Sequence, residues 1–206
     1  MSDKKHRIGV LVSGRGSNLQ AIMDACADGR LDAEVAIVIS DVRDAFALER
    51  ARKAGIEAVH IPWQKGKRGT WENRAIEILH EAGCELICLA GYMRVVGKTM
   101  MRAFPERILN IHPALLPSFP GLHAQEQAWE WGVKVSGCTV HFVTDVLDMG
   151  PIIIQKAVEV EENDTAEMLA DRILEQEHIA YPEAIGLILS GRVKIEGRRV
   201  RILPKG

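Results

Sequence analysis

The sequence predicts an α/β fold: a mostly parallel twisted sheet with helices on both faces, and an antiparallel C-terminal part. Three observations carry this. Short apolar runs alternate with helix-spaced segments, over short connections, through the first half of the chain. Those runs are almost continuously apolar, as strands covered on both faces are. Beyond Pro120 the alternation stops, and two long strand-like runs follow one another with no helix between them.

The elements follow in order. Residues 7–13 (RIGVLVS) form a short apolar run bounded by Gly14. Over 19–27, Leu19, Ile22, Met23 and Cys26 fall on one helical face. Residues 34–40 (EVAIVIS) read as a strand, and 45–54 as a helix capped by Gly55. Residues 57–61 are a short strand ended by Pro62, and 70–82 a helix followed by Gly83. Residues 86–90 (LICLA) are a buried strand. A short helix over 98–103 leads to a fifth strand over 108–112. Residues 125–131 are a short helix; 135–143 and 151–160 are the two strands expected to pair antiparallel. Residues 165–189 are a long helix, capped by Thr165 or Asp164, which Pro182 is expected to kink or divide near Tyr181. The tail, 193–195 and 200–203, reads as a hairpin around Glu196-Gly197. With no repeat, low-complexity segment or linker, a single domain over 1–206 is expected, in two subregions of 7–105 and 106–206.

Composition narrows the function. The chain has 206 residues, a net charge of -2 and 47% hydrophobic residues, enough for one good-sized core. That balance leaves no basic stripe for phosphates along a duplex, so no nucleic-acid partner is expected. The clusters Lys65-Gly66-Lys67-Arg68 and Arg198, Arg199 and Arg201 read as solvated loops. No apolar run is long enough to span a bilayer, and polar residues 1–7 lead straight into a strand, so neither membrane nor signal peptide is expected. Cys26, Cys84, Cys88 and Cys138 read as small core residues in a reducing cytoplasm. Cys84 and Cys88 lack the second pair that would complete a zinc site, so no metal is expected.

The chemistry gathers at strand ends. In Ile108-Leu109-Asn110-Ile111-His112-Pro113, Asn110 and His112 are two residues apart and so share a strand face. Pro113 and Pro117 then take the chain out of the sheet. An amide N–H beside an imidazole suits an oxyanion that forms and collapses. A histidine merely satisfied within a loop fits Asn-x-His equally well. Ser13-Gly14-Arg15-Gly16-Ser17-Asn18 follows the first strand and opens the first helix, where free N–H groups favour a phosphate. Ser17 and Asn18 are cap candidates there. Leu19 stands where a dinucleotide fingerprint needs its third glycine, which favours a phosphate monoester; a tight turn without a ligand is the plain alternative. Gly91-Tyr92-Met93-Arg94 follows the fourth strand, on the edge where open α/β sheets bind ligands. Asp148 lies in a loop ending Met149-Gly150-Pro151, and reads as either a partner for His112 or an ordinary turn aspartate.

These blocks closely resemble the phosphoribosylglycinamide formyltransferases, folate-dependent enzymes of purine synthesis. The resemblance rests on Ser13-Gly14-Arg15-Gly16-Ser17-Asn18-Leu19, Leu89-Ala90-Gly91-Tyr92-Met93-Arg94 and Asn110-Ile111-His112-Pro113-Ala114-Leu115-Leu116-Pro117. It continues through Pro120-Gly121-Leu122-His123, Gly137-Cys138-Thr139-Val140-His141-Phe142-Val143, Asp148 with Gly150-Pro151, and Gln176-Glu177-His178. It implies a Rossmann-like formyltransferase fold and transfer of a formyl group from 10-formyltetrahydrofolate to the amine of glycinamide ribonucleotide. It implies Asn110, His112 and Asp148 as a catalytic trio, and Gly16, Ser17, Asn18 and Glu177 as ribotide contacts. Met93, Arg94, Val95, Val96 and Asn110 would contact the folate, with Arg68 reaching it from its loop. The family pattern has two glycines after the loop aspartate; here Met149 stands at the first. Small-molecule substrates and a cytoplasmic monomer or homodimer are expected. A formyltetrahydrofolate hydrolase would share the trio but carry a further N-terminal domain, and a methionyl-tRNA formyltransferase a basic C-terminal one. A non-catalytic nucleotide sensor would use the phosphate loop without the trio.

Overall fold

The structure is a computed structural model that describes residues 5–205. The first four positions of the polar lead lie outside the described residues. Two compact units divide the chain, Met1–Leu109 and Asn110–Gly206.

The first unit alternates strand and helix. It comprises β1 (His6–Val12), α1 (Ser17–Ala27), β2 (Ala33–Ser40), α2 (Phe46–Lys53), β3 (Glu57–His60), α3 (Arg68–Glu81), β4 (Leu86–Leu89) and α4 (Lys98–Ala103). Its strands take the order β3-β2-β1-β4. All three pairings are parallel, with Val10 opposite Val38 and Cys88, and Ile39 opposite Val59. Ile8, Leu11, Ile37, Ile39, Leu86 and Ile87 are fully buried. Each contributes roughly 1.5–3 kcal/mol relative to an exposed side chain. The apolar runs therefore form central strands, while β3 is short and only partly covered at the edge. Helix α3 begins at Arg68, two residues earlier than its sequence spacing suggests, so Arg68 is a helix residue rather than a loop residue.

The division between the units falls within β5 (Ile108–His112), after Leu109. The second unit continues with α5 (Ala124–Glu130), β6 (Val135–Phe142), β7 (Ile152–Glu159), α6 (Ala166–Leu189), β8 (Val193–Glu196) and β9 (Arg199–Ile202). Here the strand order is β5-β6-β7, with β6 and β7 antiparallel as expected. The tail hairpin β8–β9 is a separate antiparallel pair.

Helix α6 differs from expectation. It runs unbroken through Pro182. Leu169, Ile173, Ala180, Ala184, Ile185 and Ile188 are buried, and the helix packs on β6 and β7. Tyr181 is also fully buried beside the proline. Proline costs one helical hydrogen bond, on the order of 3 kcal/mol, and the two long apolar flanks outweigh that. Thr165 caps the helix, its side chain accepting from Met168 N at 3.2 Å. Asp164 instead takes a bidentate pair from Arg172, at 2.6 and 2.8 Å.

Among the described residues, no helix is long and apolar enough to cross a membrane. Cys84, Cys88 and Cys138 are buried, Cys26 is half-buried, and all four are free thiols.

Candidate active site

In the second unit, Asn110 and His112 stand on the same face of β5 and Asp148 lies in the β6–β7 connection. His112 is 4% exposed. Its Nε2 lies 2.8 Å from the carbonyl oxygen of Phe119, and its Nδ1 3.5 Å from Asp148 Oδ2. Both ring nitrogens thus lie beside oxygen atoms, a carbonyl on one side and a carboxylate on the other. Asp148 is itself buried and its Oδ2 also accepts from Gly121 N at 2.8 Å.

Asp148 adopts a left-handed backbone, φ 52°. Aspartate tolerates that region better than most residues. Met149 is not among the described non-glycine residues with positive φ, so the loop does not ask for glycine there. Gly150 is different, since a Cβ on it would meet the Phe142 carbonyl oxygen at 1.7 Å. The motif's second glycine is therefore sterically required, and Met149 is accommodated with its side chain 37% exposed.

A second histidine completes this cluster. His141 on β6 is 2% exposed. Its Nδ1 lies 2.9 Å from Phe142 O and its Nε2 3.2 Å from Asn110 Nδ2. Burial is the main cause that holds its pKa below the ordinary histidine value. A neutral ring donating to Phe142 and accepting from Asn110 satisfies both contacts. Asp148 Oδ1, 3.7 Å from the same Nε2, favours a charged ring less strongly than burial opposes it. His141 thereby turns the Asn110 amide so that its nitrogen sits against the ring and one N–H stays available. Alternation on a strand makes an inward histidine look like core, so spacing gives His141 no role; its signals are a polar side chain within buried β6 and its place in the Gly137–Val143 block that resembles the family.

Glu177, in the same unit, is buried on α6. Burial, with the Glu177 carboxylate adding to it, pushes the Cys138 thiol up to about 12.

In the first unit, residues 13–18 turn from β1 into α1. Gly16, rather than Ser17 or Asn18, occupies the cap position, with φ 74° and no side-chain capping bond. Ala47 explains the choice, because a Cβ on Gly16 would come within 2.6 Å of its Cβ. Helix α2 holds the turn from this side: Ala47 N donates to Gly14 O at 3.1 Å and Arg50 Nε to Arg15 O at 2.9 Å. Ser17 is half-buried and Asn18 buried in the first turn of α1. A strand-to-helix turn with an uncapped N-terminus is a setting for an anion.

The segment after β4 is tied to that turn. Met93 N donates to Ser13 Oγ at 2.9 Å, and Arg94 Nε to Asp41 Oδ2 at 2.7 Å. Tyr92 stacks on Trp71 at 5.4 Å, and the Arg94 guanidinium lies 5.1 Å from the Trp63 ring centroid. Burial pushes the Tyr92 phenol up, with the Asp41 and Glu72 carboxylates adding to it. Met93 and Val95 are exposed, at 60% and 52%, while Val96 is buried and so offers little surface. At the end of the segment Gly97 N donates to the buried Glu72. Arg68 is exposed at the start of α3, with its Cδ beside Gly97.

The family model for formyl transferases matches residues 6–185. The chain belongs to the formyl transferase family. It is 44% identical over 189 residues to the phosphoribosylglycinamide formyltransferase of Bacillus subtilis, covering 89% of this chain and 94% of that one. The crystal structure of glycinamide ribonucleotide transformylase 1 from Symbiobacterium toebii superposes with a TM-score of 0.95 at 57% identity, covering 99% of this chain and 96% of that chain. The trifunctional purine biosynthetic protein adenosine-3 of Bos taurus is 43% identical over 193 residues, 93% of this chain. The chain spans only 19% of that longer protein.

Proposed function

We propose that this formyl transferase moves the formyl group of 10-formyltetrahydrofolate onto the amine of glycinamide ribonucleotide, in de novo purine synthesis. Support comes from family membership and from relatives that carry this name along nearly their whole length. The observation that carries the chemistry is His112 set between the Phe119 carbonyl and the Asp148 carboxylate, two residues from an Asn110 oriented by His141. A single formyltransferase domain of 206 residues, working in the cytoplasm as a monomer or homodimer, completes the reading.

The folate supplies an activated formyl carbon when bound and the ribotide supplies the attacking amine; the protein binds both, orients them and moves a proton. Asn110 offers an amide N–H to the carbonyl oxygen as it gains negative charge. The ribotide amine attacks the formyl carbon and the bond from that carbon to the folate nitrogen breaks; His112 gives a proton to the departing nitrogen and regains one from the attacking amine, while Asp148 orients the ring. Gly16, Ser17 and Asn18 hold the ribotide phosphate with backbone N–H groups and side chains at the start of α1. Glu177 binds the sugar or glycinamide portion. Met93, Val95 and Arg94 contact the folate, with Arg68 and the buried Val96 completing its surroundings. Burial pushes the Cys84 and Cys138 thiols up to about 12, so neither supplies a thiolate nucleophile near neutral pH.

The test is direct. Incubated with glycinamide ribonucleotide and 10-formyltetrahydrofolate, the protein yields formylglycinamide ribonucleotide. Formate release without formylated ribotide would instead identify a hydrolase.

A further inference from the structure

We propose that Asp41 is a positioning residue that ties the phosphate turn to the Met93–Arg94 segment, so that each substrate is bound by a surface the other segment helps to hold. This rests on the reading above, in which residues 16–18 take the ribotide and Met93 and Arg94 the folate.

Asp41 directly follows β2, and its side chain is fully buried. Its two oxygens serve different segments. Oδ1 accepts from the Ser13 hydroxyl at 2.6 Å and Oδ2 from Arg94 Nε at 2.7 Å. Ser13 Oγ in turn accepts from Met93 N at 2.9 Å, and Ser13 N donates to Gly91 O at 3.1 Å. Asp41, Ser13, Met93 and Arg94 therefore form a ring of hydrogen bonds, closed by the Met93–Arg94 peptide, that joins the segments after β1, β2 and β4. A buried carboxylate with two such donors is well satisfied, and losing either leaves a strong acceptor unpaired.

The ring also holds Arg94. Its Nε donates to Asp41 and its guanidinium carbon lies 5.1 Å from the Trp63 ring centroid, so two contacts fix the side chain. Asparagine replaces aspartate only in part. Its single acceptor oxygen must face Arg94 Nε–H, so its nitrogen is left to donate to the Ser13 hydroxyl, which reverses that bond. Removing the charge also strips Arg94 of its counter-ion. Both segments loosen together.

The experiment compares wild type with Asp41→Asn in the full chain. Dissociation constants for glycinamide ribonucleotide and for tetrahydrofolate are measured separately by calorimetry, and kcat at saturation by the transfer assay. Asp41→Asn weakens both affinities by about tenfold or more, the usual scale for a hydrogen bond to a charged group. Its kcat stays within about threefold, because the substitution removes binding common to ground and transition state. A merely structural role would lower melting temperature and active fraction while leaving both dissociation constants per active site unchanged. That result overturns the proposal, as does a loss confined to one ligand. If Asp41→Asn does not fold, Ser13→Ala decides, since it breaks the ring while keeping the Arg94–Asp41 pair. Weakening of both affinities supports the proposal, and weakening of neither or only one overturns it. Failure of wild type to bind either ligand would instead strike the functional reading itself.

Discussion

Asp148 Oδ2 lies 3.5 Å from His112 Nδ1 and 2.8 Å from Gly121 N, so one carboxylate oxygen serves both the ring and the loop whose Phe119 carbonyl faces the ring's other nitrogen. The ring and its surroundings are thus fixed together. In Asp148→Asn the shape is kept and the charge is lost. Turnover should fall by about 10²-fold, the range for a mispositioned proton-transfer group, while calorimetric affinity for the ribotide stays at the wild-type value. Wild-type turnover in this variant would return Asp148 to the status of a turn residue.

The phosphate turn depends on Gly16. Its φ of 74° and the Ala47 side chain leave no room for a Cβ. Gly16→Ala should weaken ribotide binding by at least about tenfold, as strain at a left-handed position costs on the order of 1–3 kcal/mol. The dephosphorylated riboside should bind wild type much more weakly than the ribotide does. Equal affinity of riboside and ribotide would remove the phosphate from this turn.

His141 should mark the acid side of the stability profile. Burial holds its folded-state pKa below the ordinary 6.5, so the unfolded chain takes up the proton first as pH falls. Its contribution is complete above the ordinary histidine value and is lost as pH drops from there toward the depressed folded value. Denaturant midpoints of wild type should fall across that window, and more steeply than those of His141→Gln. Superimposable profiles for the two proteins would contradict a neutral buried ring. His141→Gln should also lower turnover, because the Asn110 amide loses the ring that orients it.

The thiols should be silent. Burial pushes Cys84 and Cys138 up to about 12 and Cys26 up to about 11. At pH 8 the folded protein should label far more slowly with a thiol-specific disulfide reagent than the urea-unfolded chain, because the thiolate is the reactive form. Rapid labelling of the folded protein at any of these three positions would show a more open core.

Much of this architecture follows from local pattern. The apolar runs became β1, β2 and β4 to within a residue or two, and Thr165 caps α6. Where local rules misled, tertiary packing was the reason. Pro182 sits inside a continuous α6 because the flanking turns are buried, and Ala47, forty-seven residues into the chain, is what demands glycine at position 16. Asn110 and His112 stand out by spacing and by resemblance, and Asp148 by resemblance alone. The partners His141, Phe119 and Asp41 do not stand out by spacing, because each acts through a contact made 28 or 31 residues away, or through a backbone carbonyl that has no side-chain signature.

The most direct test is His112→Ala in the full chain, assayed with glycinamide ribonucleotide and 10-formyltetrahydrofolate and, in parallel, by calorimetry with the ribotide alone. Wild type should yield formylated ribotide, and the variant should lose about 10²-fold or more in rate with ribotide affinity unchanged. Near wild-type turnover in His112→Ala would contradict this mechanism.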